Sequence, residues 1–151
     1  MNNEIILRFA LSIILGGIIG LERQYRSKSA GFRTMIMISL GACFFTVLSK
    51  LIGGETNGDR IASNIVSGIG FLGAGVIIRE QRSQRVHGLT TAASLWACAL
   101  IGAAFGAGKF ALGGLTLGAI FLTLLIGGPL ERLVTRLTGQ KRGSEISGDP
   151  D

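Results

Sequence analysis

Two short segments carry the residue types best suited to chemistry: Gly31-Phe32-Arg33-Thr34 and Gly88-Leu89-Thr90-Thr91. Each reads Gly-x-x-Thr directly ahead of a long apolar run, so each is placed to open a helix. Helix N-termini present unpaired N–H groups and a partial positive charge. Threonine hydroxyls and the Arg33 guanidinium add donors, which together make an anion site. Two partners fit it: Glu22 and Glu80 pairing internally with Arg33 and Arg79, or an external phosphate-bearing ligand or acidic lipid headgroup. A second group is Arg60, Asn64 and Ser67, spaced i, i+4, i+7 beyond Asp59. That spacing draws a polar stripe down two turns of one helix face. It fits interhelical hydrogen bonding, or a polar cleft capped by Asp59.

No catalytic constellation accompanies these groups. His87 is the single histidine, lies near Arg82 and Arg85 with no nucleophile at a recognisable spacing, and reads as a solvated loop residue. Cys43 and Cys98 fall inside apolar runs and read as small packing residues, with no Cys/His metal spacing in the chain. Magnesium is usually held by carboxylates and retained waters. The nine Asp and Glu residues all lie outside the apolar runs, so a cation path would depend on backbone carbonyls or on Asn64 and Ser67. The expectation is a protein that is not an enzyme and has no cofactor, with any metal ligand set left open.

The elements that must hold these residues are membrane spans. Gly88–Gly108 and Phe110–Leu130 each run from end to end without one charge. Roughly 20 apolar residues at ~1.5 Å rise cross the ~30 Å hydrocarbon core of a bilayer. Five such runs are predicted, at 5–21, 34–49, 61–78, 88–108 and 110–130, making residues 1–130 an all-α polytopic membrane domain. Residues 131–151 read as a short cytoplasmic tail that briefly continues the last helix past Pro129 and is disordered over Gly143–Asp151. Arg8, near the end of the first run, is expected to lay its stem along lipid and reach the headgroups, as is Lys50. Glu4, in place of a basic region, and the lack of a small-residue cleavage pattern read as no cleavable signal peptide.

Basic residues alternate between connections. Glu22–Arg33 holds Arg23, Arg26, Lys28 and Arg33; 79–87 holds Arg79, Arg82 and Arg85; the tail holds Arg132, Arg136, Lys141 and Arg142. The opposite side holds Lys50, Arg60 and Lys109, with Arg8 nearby. The bias predicts the N-terminus outside and the C-terminus in the cytoplasm. The formal net charge of +6 is thus accounted for by juxtamembrane positions. With one Trp and one Tyr for stacking, nucleic acid is excluded as a partner. The lipid bilayer is the expected surrounding.

Twenty-four glycines concentrate in the spans. Gly16-x-x-x-Gly20, Gly102-x-x-x-Gly106 and Gly114-x-x-x-Gly118 are small-xxx-small patterns, which let helix backbones approach in lipid. With Gly68, Gly70, Gly73 and Gly75 in the third span they predict tight packing, and their faces suit either a homo-oligomer or another membrane protein. Trp96, two turns into its span, is expected to pack on small residues. Sliding the chain along itself without gaps aligns Leu15, Gly16, Gln24, Gly31 and Thr34 with Leu72, Gly73, Gln81, Gly88 and Thr91. This suggests a parallel repeat of two helix hairpins.

Taken in order, Gly16-x-x-x-Gly20-x-Glu22-Arg23-Gln24, Ala30-Gly31-Phe32-Arg33-Thr34, Asp59-Arg60-Ile61-Ala62, the block 67–77 (SGIGFLGAGVI) and Gly88-Leu89-Thr90-Thr91-Ala92-Ala93 resemble the MgtC/SapB family of bacterial inner-membrane proteins. Trp96 and Gly102 fit as well. The resemblance implies a five-span inner-membrane protein with a cytoplasmic C-terminus. It further implies a link to growth under magnesium limitation and, in pathogens, to survival inside macrophages. Some members are thought to restrain the membrane ATP synthase, and others are labelled transporters. Glu22, Arg23, Arg33, Asp59, Arg60, Thr91 and Trp96 match motif positions, and the resemblance makes them the first functional candidates. Asn64 and Thr90 stand at more variable positions. Many members continue into a soluble domain after the fifth span, where this sequence has the short tail Glu131–Asp151. Three functions follow as expectations: a regulatory membrane protein, a transporter or channel for Mg²⁺ or another cation, and an anion- or lipid-binding protein.

Overall fold

In chain order the apolar runs become α1 (Asn3–Tyr25), α2 (Phe32–Gly53), α3 (Gly58–Val76), α4 (Leu89–Gly106) and α5 (Phe110–Thr138). The structure is a computed structural model and describes residues 3–53, 58–79 and 86–138. Four of the helices, α1, α2, α4 and α5, are long and apolar enough to cross a membrane. The apolar part of α3, Ser63–Val76, is shorter. Large side chains such as Leu112, Leu115, Leu122 and Ile126 of α5 point outward, as lipid requires of a membrane helix. The protein is an all-α polytopic membrane protein.

α4 is the hub and touches each of the other four helices. Half of its most apolar stretch is buried, against 6% for α5, so α4 is the centre and α5 the periphery. The buried stripe of α4 runs Thr91, Leu95, Cys98, Gly102, Phe105, stepping four and three residues as one helix face must. Its counterpart on α1 is Ser12, Gly16, Ile19 and Arg23.

The glycines explain how closely these faces meet. A Cβ on Gly16 would stand 2.8 Å from the Ser39 Cβ, and one on Gly102 would overlap the Ser39 carbonyl. Gly20 lies over Phe32 in the same way, at 2.6 Å from its Cα, and Gly106 over the Cys43 carbonyl at 2.6 Å. Ser39 of α2 is thus wedged between α1 and α4. Two buried hydroxyls on this packing surface turn back on their own helices, Ser12 donating to the Arg8 carbonyl at 2.9 Å and Ser94 to the Thr90 carbonyl at 2.7 Å, whereas the Ser39 hydroxyl has no partner among the described residues. Gly68, Gly70 and Gly75 behave differently. Nothing lies within 4 Å of where their Cβ atoms would be, so the packing role expected for them is not seen among the described residues. Gly73, on the inner side of α3, does meet Ala92 at 3.6 Å.

The hairpin repeat has a geometric counterpart. Gly16 approaches Met35, and Gly73 approaches Ala92, two pairs related by the same shift that sets Gly31 on Gly88. The carbonyl of Gly31 accepts from Met35 N at 3.1 Å, and that of Gly88 from Ala92 N at 2.8 Å, so both glycines close the first turn of a helix. Between the second pair of helices, Ile78–Arg79 and Val86–His87 form a two-residue antiparallel ladder with Ile78 opposite His87. His87 is therefore a half-buried strand residue rather than a solvated loop residue. The third helix stops at Val76, two residues short of the predicted span end. Gly88, at φ 87°, sits against the Val76 carbonyl, a conformation and a proximity that only glycine tolerates.

Candidate functional site

At the end of α1 the buried stripe carries a charge. Arg23 is 2% exposed, and its Nη2 donates to Thr91 Oγ1 on the first turn of α4 at 3.0 Å. Arg23 Nε has no hydrogen-bond partner among the described residues. Taking a guanidinium out of water is costly unless its donors are satisfied, so one hydroxyl offsets only part of that cost. The site also stands at the positive end of α4, which adds to the local demand for negative charge.

Glu22, one position earlier, turns another way. It forms an ion pair with Arg26, just past the end of α1, and its side chain is 8% exposed. Neither carboxylate oxygen has hydrogen-bond geometry to a partner, so the contact is one of charge alone. The Arg26 guanidinium reaches Gly128 of α5, where a Cβ would stand 3.3 Å from Nη1. In place of the expected pairing with Arg33, Glu22 makes an i, i+4 pair with Arg26 across the end of α1, and the side chain of Arg79 lies outside the described residues. That spacing was the available signal for Arg26. Glu80 lies outside the described residues.

At the N-terminus of α2 the first N–H is already taken. Gln24 Oε1 accepts from Phe32 N at 3.2 Å, capping the helix from the end of α1. Arg33 and Thr34 are exposed and take no part in the Arg23–Thr91 contact. Thr90 is exposed beside buried Thr91. Of the two Gly-x-x-Thr segments, only the second delivers its last threonine to a partner, because Thr91 lies on the buried stripe of its helix and Thr34 does not.

The chain leaves α1 through a left-handed Ser27, φ 51°, with Lys28 N donating to the Arg23 carbonyl at 3.0 Å and Ser27 N to that of Gln24 at 3.0 Å. This is a Schellman arrangement, in which glycine is the usual occupant of the left-handed position. At the far end of the bundle, Gly108 fills that position after α4, with φ 76°. There Arg8 Nη1 donates to the Gly106 carbonyl at 2.7 Å and Lys50 Nζ to that of Ala107 at 2.8 Å. Two cations thus neutralise the negative end of α4. Arg8 accordingly points into the bundle, with its other end paired to Glu4, and does not run along lipid as expected.

On α3, Asn64 and Ser67 are exposed, on the side away from α4. Neither the expected interhelical hydrogen bonds nor a cleft is formed by them within the described residues. The side chains of Asp59 and Arg60 lie outside the described residues. Trp96 is 44% exposed and lines a shallow groove between α3 and α4 with Ile65, Val66 and Ile69, so its neighbours are branched aliphatics as well as Ala99. Among the described residues no group of three or more His, Cys, Asp or Glu side chains gathers to hold a metal ion.

The profile of the MgtC family matches residues 9–133. Protein MgtC of Brucella abortus (strain 2308) is 50% identical over 97 residues, 64% of this chain and 40% of that protein. Protein MgtC of Salmonella typhimurium is 49% identical over 105 residues, 70% of this chain and 44% of that protein. YhiD of Escherichia coli K12, described as a candidate magnesium transporter, is 39% identical over 145 residues, 91% of this chain and 65% of that protein. This chain therefore spans less of these relatives than their full length. No solved structure matches it. The matched region takes in α1 from Phe9, all of α2, α3 and α4, and α5 to Leu133, and with it every contact of the Arg23–Thr91 site; the chain belongs to the MgtC family.

Proposed function

We propose that this chain is a regulatory protein of the bacterial inner membrane that serves adaptation to magnesium limitation by acting on another membrane complex, not by carrying the ion. The names of the relatives support the link to magnesium. The observation that carries the regulatory reading is the closure of the α1–α2–α4 interior. Gly16 and Gly102 both abut Ser39, and Gly106 abuts Cys43, so backbone meets backbone where a path would run. Mg²⁺ gives up its waters reluctantly and needs oxygen ligands in octahedral array. In the interior Ser12 and Ser94 donate to their own helices, Thr91 is held by Arg23, and the buried carboxylate of Glu22 is paired with Arg26.

In this reading residues 1–130 form the membrane domain and 131–151 a cytoplasmic tail, with the N-terminus outside, as the distribution of Lys and Arg supports. The Arg23–Thr91 contact then lies on the cytoplasmic side. The membrane ATP synthase is the complex to test first, and survival inside macrophages would be its consequence in a pathogen.

Purified protein in liposomes loaded with a magnesium-sensitive dye tests the choice. No uptake above empty vesicles, together with loss of growth at low magnesium when Arg23→Ala replaces the native chain, is the expected result. Saturable uptake that Asn64→Ala abolishes would replace this reading with transport, in which the exposed polar residues of α3 line the path.

A further inference from the structure

We propose that α3 pairs with the α3 of a second copy of this chain, about a two-fold axis along the membrane normal, through the face bearing Ser63, Ser67, Gly70 and Ala74. The starting observation is that α3, beside the exposed apolar Val66, Phe71 and Leu72, turns one polar face toward lipid. Its aliphatic Ile69 is buried and Ile65 half-buried against the rest of the chain. Its polar and small residues, Ser63, Asn64, Ser67, Gly70 and Ala74, are exposed. A helix bounded by lipid on that side would carry the opposite arrangement, because polar side chains in spans avoid hydrocarbon.

Two further observations point to an occupant. Asn64 and Ser67 make no side-chain hydrogen bond among the described residues, whereas Ser12, Thr46, Ser94, Thr116 and Thr123 each donate to the carbonyl four residues back. Phe71, beside them, is 82% exposed. Ser63, Ser67, Gly70 and Ala74 are spaced four, three and four residues, so they form one continuous strip of small side chains. Gly70 has open space above it, with nothing within 4 Å of a Cβ position. Such strips let two helices approach closely in a bilayer.

The chemistry of the strip selects a second copy. From Ser63 to Ala74 it holds no charge that would choose a partner of opposite sign. Its polar groups, a carboxamide and hydroxyls, are each donor and acceptor, so each is complementary to itself. A two-fold axis along the membrane normal sets every residue opposite its own counterpart at equal depth, the condition for an isologous interface. Asn64 and Ser67 then find partners, and Phe71 gains the flank of the opposing helix. This pairing is independent of any role in magnesium adaptation.

Single cysteines introduced into the full chain in native membranes test it, with the unaltered chain, whose Cys43 and Cys98 are buried, as control. Mild oxidation is expected to convert Ser67→Cys and Gly70→Cys into covalent dimers and to leave Leu72→Cys, at similar depth on another side, monomeric. Gly70→Leu, whose Cβ meets nothing within 4 Å among the described residues, is expected to abolish the dimer seen by light scattering in nanodiscs while helix content stays unchanged. Equal cross-linking at Leu72→Cys and Ser67→Cys would overturn the proposal. So would a dimer that survives Gly70→Leu, or a purified monomer whose Ser67→Cys form captures only a different polypeptide.

Discussion

Arg23 and Thr91 are separated by 68 residues of sequence and joined by one 3.0 Å hydrogen bond that ties the end of α1 to the start of α4. The bond exists because two buried stripes, each drawn by a four-and-three residue spacing, converge at the same face of the bundle. Among the described residues, Arg23 is the fully buried cation in the packing of the bundle.

Removing either side of this bond should be costly, and removing both should cost less than the sum. Thr91→Val keeps the shape of the threonine but leaves a buried guanidinium without its acceptor, a loss of about 1–3 kcal/mol. Arg23→Met removes the donor and the charge together. In reversible denaturation in mixed micelles, the double variant should recover about 0.5–3 kcal/mol relative to additivity. Strict additivity would mean that the two side chains do not interact in the native membrane protein.

Glycines with similar sequence contexts should respond in opposite ways. Gly102→Ala drives a methyl group into the Ser39 carbonyl, and backbone cannot step aside as a side chain would. A loss of about 1–3 kcal/mol or more is expected. Gly114→Ala meets nothing within 4 Å and should gain up to about 1 kcal/mol from helix propensity. Thermal unfolding midpoints in one detergent would separate the two, and a shift of the same sign would contradict the packing described.

The sequence shows why these outcomes could be anticipated only in part. Apolar run length placed α1, α2, α4 and α5, because the bilayer sets a minimum length for a span, whereas the apolar part of α3, Ser63–Val76, is shorter than that. The close approaches of Gly16, Gly20, Gly102 and Gly106 follow small-xxx-small spacing, but Gly114 and Gly118, spaced the same way, meet nothing within 4 Å among the described residues. The same rule failed for Gly68, Gly70 and Gly75, since a pattern of glycines does not reveal whether its partner lies in the same chain. Arg8 was misread because snorkelling describes one helix in lipid, whereas the carbonyl of Gly106 that captures it comes from 98 residues away. The Arg23–Thr91 bond was hidden for the same reason. Both residues were candidates, but nothing local said that they face each other while Arg33 and Thr34 face out.

Capping across the first turn offers a sharper test of local structure. Gln24 Oε1 is the acceptor for Phe32 N, so Gln24→Ala should cost about 0.5–2 kcal/mol and fray α2 at its first turn. Gln24→Glu retains an acceptor oxygen and should stay near the parent. Amide exchange at Phe32 read by mass spectrometry would report the difference, and equal protection in both variants would remove the cap from the account.

Ser27 holds a left-handed backbone, φ 51°, at the point where α1 closes with a Schellman arrangement. A non-glycine residue held there costs on the order of 1–3 kcal/mol in strain. Glycine relieves that strain but gives the unfolded chain more freedom, which takes back about 0.4–1 kcal/mol. Ser27→Gly should therefore stabilise the protein, by about 1 kcal/mol or somewhat more, without moving Arg23 or Gln24. Because Ser27 is exposed, no lost packing should mask the gain. A raised unfolding midpoint with unchanged growth at low magnesium is the expected pair of results. A lowered midpoint would mean that the serine hydroxyl makes a contact worth more than the strain, and would turn attention to what it touches at the membrane surface.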